Sequence, residues 1–126
     1  MDWRSYIDDQ LVGSGSVTKA AIVGLDGAIW AKSDHFNIGD DEAAAAAQGF
    51  VNSETLYASG LKFEGIKYMI IKADHEQIFG KKGTGGFAAS KTKKAVIISI
   101  YDGTIQPGNC ALTTQRLADY LIENDY

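Results

Sequence analysis

One cysteine and one proline in 126 residues are the first things to note, because each shortage excludes something. The lone Cys110 permits no internal disulfide, which argues against a disulfide-built scaffold and for a reducing compartment. No apolar run approaches the roughly 20 residues that cross a bilayer. The opening MDWRSYIDD lacks a basic start followed by an apolar stretch, so it does not read as a secretory address. Pro107 stands alone and no low-complexity tract interrupts the chain, so residues 1–126 read as one domain. His35 and His75 fall in turn-like stretches far from Cys110, and no Cys/His cluster has metal-ligand spacing. The stretch FGKKGTGGF fails as a phosphate loop. That loop needs GxxxxGK followed by Ser or Thr, running from a strand into a helix. Here the lysines precede the last glycines and a strand follows. A lone cysteine among apolar neighbours reads as buried and inert. Neither an enzyme nor a bound metal or cofactor is expected.

What is present is an ordinary globular composition, 45% hydrophobic and 22% charged. The net charge of −4 is uneven. Residues 61–100 carry eight lysines against three acids, and the remainder is strongly acidic. A basic tract in an acidic chain can attract an anionic partner, although lysines also serve simply to solvate strand faces.

Periodicity predicts the elements. Trp3, Ile7 and Leu11 recur at i, i+4 and i+8, with Tyr6 on the shoulder, which gives a helix over 2–12. Strands over 17–24 and 28–31 are joined around Asp26-Gly27, a hairpin dipeptide. Asp40 or Asp41 caps an alanine-rich helix, and a short helix over 53–59 stops at Gly60. Four strands follow, over 66–73, 77–82, 86–91 and 95–101, with connections short enough for an antiparallel meander. AVIISIY is nearly all apolar and suits a strand covered on both faces. Pro107-Gly108 reads as a turn before a final helix capped by Thr113 or Thr114, with Leu117 and Leu121 on one face and Tyr120 on its shoulder. The sum is an α+β domain with a central antiparallel sheet of about six strands.

One feature of the opening stands apart from this scheme. Termini are usually polar and frayed, yet Trp3 and Tyr6 sit at the start of the chain. The closing helix ends in aromatics too, and spacing alone does not say whether the two groups meet.

The stretches MDWRSYIDDQLVG, GLDGAIWAKS, FGKKGTGG and PGNCALTTQRLADYLIENDY, in that order and at that spacing, resemble the profilin family along essentially the whole chain. The resemblance implies terminal helices on one face of the sheet and two shorter helices on the other. It implies binding of monomeric actin and, on another face, of proline-rich proteins such as formins and related elongation factors. By position, Trp3, Tyr6, Trp30, Tyr120, Leu121 and Tyr126 would form the proline-binding surface. Tyr57, Lys67, Lys72, Lys82, Gly108 and Arg116 would face actin. Phosphoinositide lipids would meet Lys81 and Lys82 together with Lys91, Lys93 or Lys94. The sequence departs from the vertebrate pattern at Gly80, where those proteins carry arginine, and at Leu112, where they carry lysine. An alternative reading is a phosphoinositide and proline-rich-ligand adaptor with little actin affinity. No nucleic-acid partner is expected. A cytoplasmic, cytoskeleton-associated monomer is.

Overall fold

The structure, a computed structural model, describes residues 2–126. The chain opens with helix α1, residues 3–14, which changes pitch as it runs. Trp3–Ser5 is α-helical, Tyr6–Leu11 is a wider π-helical stretch, and Val12–Ser14 tightens to a 3₁₀ turn. A strict four-residue apolar spacing drifts about 40° per step around an ordinary α-helix. The wider turn reduces that drift, so Trp3, Ile7 and Leu11 keep to one side. Asp2 caps the start, its carboxylate accepting from the Arg4 N–H at 3.0 Å.

Seven strands follow: β1 (Lys19–Gly24), β2 (Ile29–Lys32), β3 (Leu61–Phe63), β4 (Ile66–Ala73), β5 (Gln77–Lys82), β6 (Gly85–Lys91) and β7 (Ala95–Tyr101). They form one sheet in the order β2-β1-β7-β6-β5-β4-β3, antiparallel throughout. The count exceeds the expected six by β3. At three residues β3 is too short to show a period in the sequence, but it pairs with β4 across the tight turn Glu64-Gly65, where both residues have positive φ. The Asp26-Gly27 hairpin forms as expected. Gly27 takes φ 89° and lies so close to Ala44 that a Cβ would meet its Cα at 2.7 Å. Strand β7, flanked by β1 and β6, is buried along its whole length.

The remaining helices are α2 (Asp40–Gly49), α3 (Ser53–Ser59) and α4 (Pro107–Glu123). Two of their starts differ from expectation. Gly39, not Asp40 or Asp41, is the N-cap of α2, and Glu42 reaches back to accept from the Gly39 N–H at 3.0 Å. Helix α4 begins at Pro107, not at a Thr113 or Thr114 cap. Proline suits a first helical position because its missing N–H would have had no partner there. Thr114 is instead fully buried, within 2.7 Å of the Ser99 hydroxyl and donating to the Cys110 carbonyl at 2.8 Å.

The sheet separates two cores. On one face α2 and α3 cover Val23, Ile78, Val96 and Ile98, with Phe87 edge to face against Phe63 at 5.0 Å and Tyr68 at 5.5 Å, and Phe63 tilted against Tyr68 at 5.9 Å. On the other face Ile7, Leu11, Leu117 and Leu121, from α1 and α4, pack on Ala20, Ile22, Ala88 and Ile97. Both terminal helices therefore share one side of the sheet. Among the described residues, no helix is long and apolar enough to cross a membrane.

Candidate functional site

The terminal helices bring the aromatics of both chain ends together. The Trp3 ring lies 4.9 Å from Trp30 of β2, 6.0 Å from Tyr6, and 5.2 Å from Tyr126, which it meets edge-on at 87°. Tyr6 continues the row to Tyr120 of α4, at 6.0 Å. Trp3, Tyr6, Trp30 and Tyr126 are half-buried and Tyr120 is exposed, so each ring presents part of its surface to solvent. Leu121 is fully buried and forms the floor beneath the rings. It cannot offer its own surface to a ligand. Burial, with the neighbouring Tyr120 hydroxyl second, pushes the Tyr6 phenol up, so it stays a neutral donor at physiological pH.

Ion pairs hold the outer rim. Arg4 reaches Asp8 of its own helix at 2.9 Å and Asp34, beyond β2, also at 2.9 Å. The Arg4 guanidinium keeps the Asp34 carboxyl below its usual range. This clip ties the helix carrying Trp3 to the strand carrying Trp30. Flat, half-exposed rings with a phenol or indole donor at the edge suit an extended ligand whose carbonyls have no internal partners.

A second surface lies where the sheet is left bare. Helix α4 packs mainly over β6 and β7, and on that side β4 and β5 are uncovered. Met69 is 72% exposed and Ile71 58%, interleaved with Lys67 and Lys72. A bulge between Ile70 and Lys72 turns Ile71 outward. The Lys72 ammonium sits 5.5 Å from the Phe79 ring centre and 3.2 Å from the Gln77 side-chain carbonyl. Gln77 donates to Gln115 of α4 at 2.9 Å, one residue before exposed Arg116. Tyr57 of α3 is 56% exposed, and its hydroxyl accepts from the Ala73 N–H at 2.9 Å, which ties α3 to β4. A cavity of about 450 Å³ lies between Tyr57, Lys67, Met69 and Lys82. Gly108 is exposed in the first turn of α4. The exposed Met69 and Ile71 were missed from sequence. Their signal is the run YMII, which breaks the alternation expected of a strand with one wet face.

The five lysines considered for an anionic headgroup do not form one site. Lys81 and Lys82 lie at the β5–β6 turn, while Lys91, Lys93 and Lys94 lie at the opposite end of β6. A strand of that length separates them by roughly 20 Å. Lys93 pairs with Asp125 at 3.2 Å, and the Lys94 ammonium stands 5.5 Å from the Tyr126 ring centre. Gly80 also has a physical reason. A Cβ there would run into the Phe87 ring, so the packed aromatic core leaves no room for a side chain. Leu112, by contrast, is 49% exposed on α4. Cys110 is fully buried, and burial pushes its thiol up to about 12, which removes it as a nucleophile.

The Profilin family model matches residues 1–126. The chain is 51% identical to Profilin-3 of Caenorhabditis elegans over 120 residues, 95% of each chain. Its fold superposes on the crystal structure of Acanthamoeba castellanii profilin II with a TM-score of 0.96 and 41% identity, over 99% of this chain and 100% of that one. Mouse profilin IIa, solved in complex with a double repeat from the FH1 domain of mDia1, shares the fold at a TM-score of 0.79 and 20% identity, over 100% of both chains. The chain therefore belongs to the profilin family, whose members are non-enzymatic actin-binding proteins.

Proposed function

We propose that this member of the profilin family binds actin monomers on the bare β4–β5 side of its sheet and proline-rich segments on the aromatic surface of its two chain ends. It would thereby regulate actin polymerisation by carrying monomers to proline-rich partners such as formins and related elongation factors, as a monomer in the cytoplasm. The observation that carries the reading is the row Trp30–Trp3–Tyr6–Tyr120, closed at one end by Tyr126. A proline-rich segment is already extended, so docking it on fixed rings costs little ordering entropy. The complex named for mouse profilin IIa, with an FH1 double repeat, is consistent with this use of the family fold.

For actin, the support is an exposed apolar pair, Met69 and Ile71, bordered by the ammoniums of Lys67 and Lys72. An apolar centre with a basic rim suits an acidic partner: the centre supplies affinity, and the rim steers approach. Tyr57 and Lys82 border the same side, with Gly108 and Arg116 contributed by α4. For phosphoinositides, two separate basic turns replace a single cluster. Only the Lys81-Lys82 turn has no ion-pair partner among the described residues.

The test has two arms. Trp3 and Trp30 are the only tryptophans, so titration with a proline decamer should change intrinsic fluorescence saturably in both low and high salt. No change in the folded protein would remove the proline reading. Reversing Lys67 and Lys72 to glutamate should weaken binding of monomeric actin, and equal affinity at low salt would count against that surface.

A further inference from the structure

We infer that the β6–β7 turn, through Thr92, is the positioning element that sets the geometry of the aromatic surface. The inference rests on the proline-binding reading of that surface. Thr92 is only 2% exposed, a buried hydroxyl in a turn otherwise made of solvated lysines. Its Oγ1 accepts from the Ala95 N–H at 3.0 Å, which closes the turn, and lies 2.7 Å from the main-chain oxygen of Tyr126. A hydroxyl has one proton to donate, and the nearest acceptor is that oxygen; the Ala95 carbonyl is farther, at 3.2 Å.

The same Tyr126 oxygen accepts a second bond, from the Lys94 N–H at 2.6 Å, and the Tyr126 N–H donates to the Leu121 carbonyl at 2.8 Å. Both main-chain polar groups of Tyr126 are thus fixed, and two of the three bonds come from the turn. The turn is also anchored on its other side, because the Lys94 carbonyl accepts from the Leu25 N–H at 3.3 Å. Leu25 belongs to the hairpin that carries Trp30. The turn that this buried threonine closes therefore joins the segment bearing Tyr126, through Thr92 and the Lys94 N–H, to the hairpin bearing Trp30, through the Lys94 carbonyl, and Trp3 fits between those two rings. Thr92 touches no ligand on this account. It acts through the edge-on placement of Tyr126 against Trp3.

The experiment uses Thr92→Val, which keeps the shape but removes both the donor to the Tyr126 oxygen and the acceptor for the Ala95 N–H, and Thr92→Ser, which keeps both. Affinity for a proline decamer, affinity for monomeric actin and near-ultraviolet circular dichroism are measured for both variants and the wild type. Thr92→Val should weaken decamer binding about tenfold, the scale of one hydrogen bond lost to Tyr126 while the buried Ala95 N–H is left without its hydroxyl partner. It should alter the aromatic dichroism and leave actin affinity within twofold. Thr92→Ser should restore decamer binding. A folded Thr92→Val protein with wild-type decamer affinity and wild-type dichroism would overturn the inference. If the valine variant does not fold, the wild type carries the test. The Lys94 and Tyr126 amides should exchange more slowly with solvent when the decamer is bound, and unchanged exchange at saturation would overturn the positioning role. A wild-type protein that binds no decamer refutes the proline-binding reading itself. The dichroism of the two variants then decides whether Thr92 orders the rings.

Discussion

Replacing Trp3 with alanine tests the aromatic surface most directly, because its effects on fold and on binding can be separated. Trp3 sits at the first turn of α1, while the helix is held to the sheet by Ile7 and Leu11, both fully buried. The helix should therefore stay docked. The substitution removes three ring contacts, at 4.9, 5.2 and 6.0 Å. Aromatic pairs contribute about 0.5–1.5 kcal/mol each beyond burial, and pairs sharing one ring do not add fully. The loss of stability should be about 2 kcal/mol, or roughly 6–10 °C in Tm for a domain of this size. For a proline decamer the central ring is lost. Truncating such an anchor costs about 2 kcal/mol or more, so Kd should rise at least about 30-fold. Calorimetric titration reads this without relying on the deleted fluorophore. Trp3→Phe should fall between, and actin-monomer affinity should stay within twofold. A folded Trp3→Ala protein that binds the decamer within twofold of wild type would refute the reasoning, because Trp3 would then be only a packing residue.

Two further substitutions test the packing that supports the surfaces. Gly80→Ala places a Cβ against the Phe87 ring, inside the Phe63–Tyr68–Phe87 stack. Thermal melts should show a loss of about 2–3 kcal/mol, the usual scale of overpacking, and an unchanged Tm would mean the stack has slack. Glu42 is pushed up by burial, but N–H donors from Gly39, Gly65 and Glu64 outweigh this and hold its pKa below the usual value. A depressed carboxylate contributes stability above its unfolded pKa and loses it as pH falls through the folded one. Glu42→Gln should therefore destabilise by about 1–2 kcal/mol at pH 7. The gap in Tm from wild type should shrink below about pH 4.5, and a gap that does not change with pH would exclude this carboxylate as its source.

The elements that the sequence made legible are those whose cause is local. The Asp26-Gly27 turn, the fully apolar β7 and the stop at Gly60 each follow from a few neighbouring residues. The misread starts of α2 and α4 are local too, but ambiguous. Asp40 and Asp41 lie in the first turn, where acids also favour a helix, and Pro107 reads equally as a turn or as a first helical residue. Strand β3 left no trace because it exists through pairing with β4. The site residues divide in the same way. Tyr6 and Tyr120 were legible as aromatic shoulders of terminal helices, and Trp3 as the first member of an apolar stripe. Their meeting was not, since it depends on β1 pairing with both β2 and β7 and so placing the two ends side by side. The scatter of the lysines was hidden for the converse reason. Lys82 and Lys91 are close in sequence, but a β-strand holds them at opposite ends.

The two surfaces share one rigid element, and this bears on whether both ligands can bind together. Helix α4 spans about 25 Å, with Gly108 and Arg116 in its earlier turns and Tyr120 near its end. It is fixed to the sheet through its middle. Gln115 accepts from Gln77 of β5 and from Ser90 of β6, both at 2.9 Å, and donates to Asp119 at 2.8 Å. A helix pinned there does not pivot easily when one end is loaded. A ligand on the aromatic row meets α4 at Tyr120, four residues beyond Arg116 and on the far side of the Gln115 anchor from Gly108. Neither surface borrows a side chain from the other in this arrangement. The natural consequence is independent binding with little coupling, since a ligand shifts a conformational equilibrium only by its differential affinity for two states, and the pinned helix offers no second state to select.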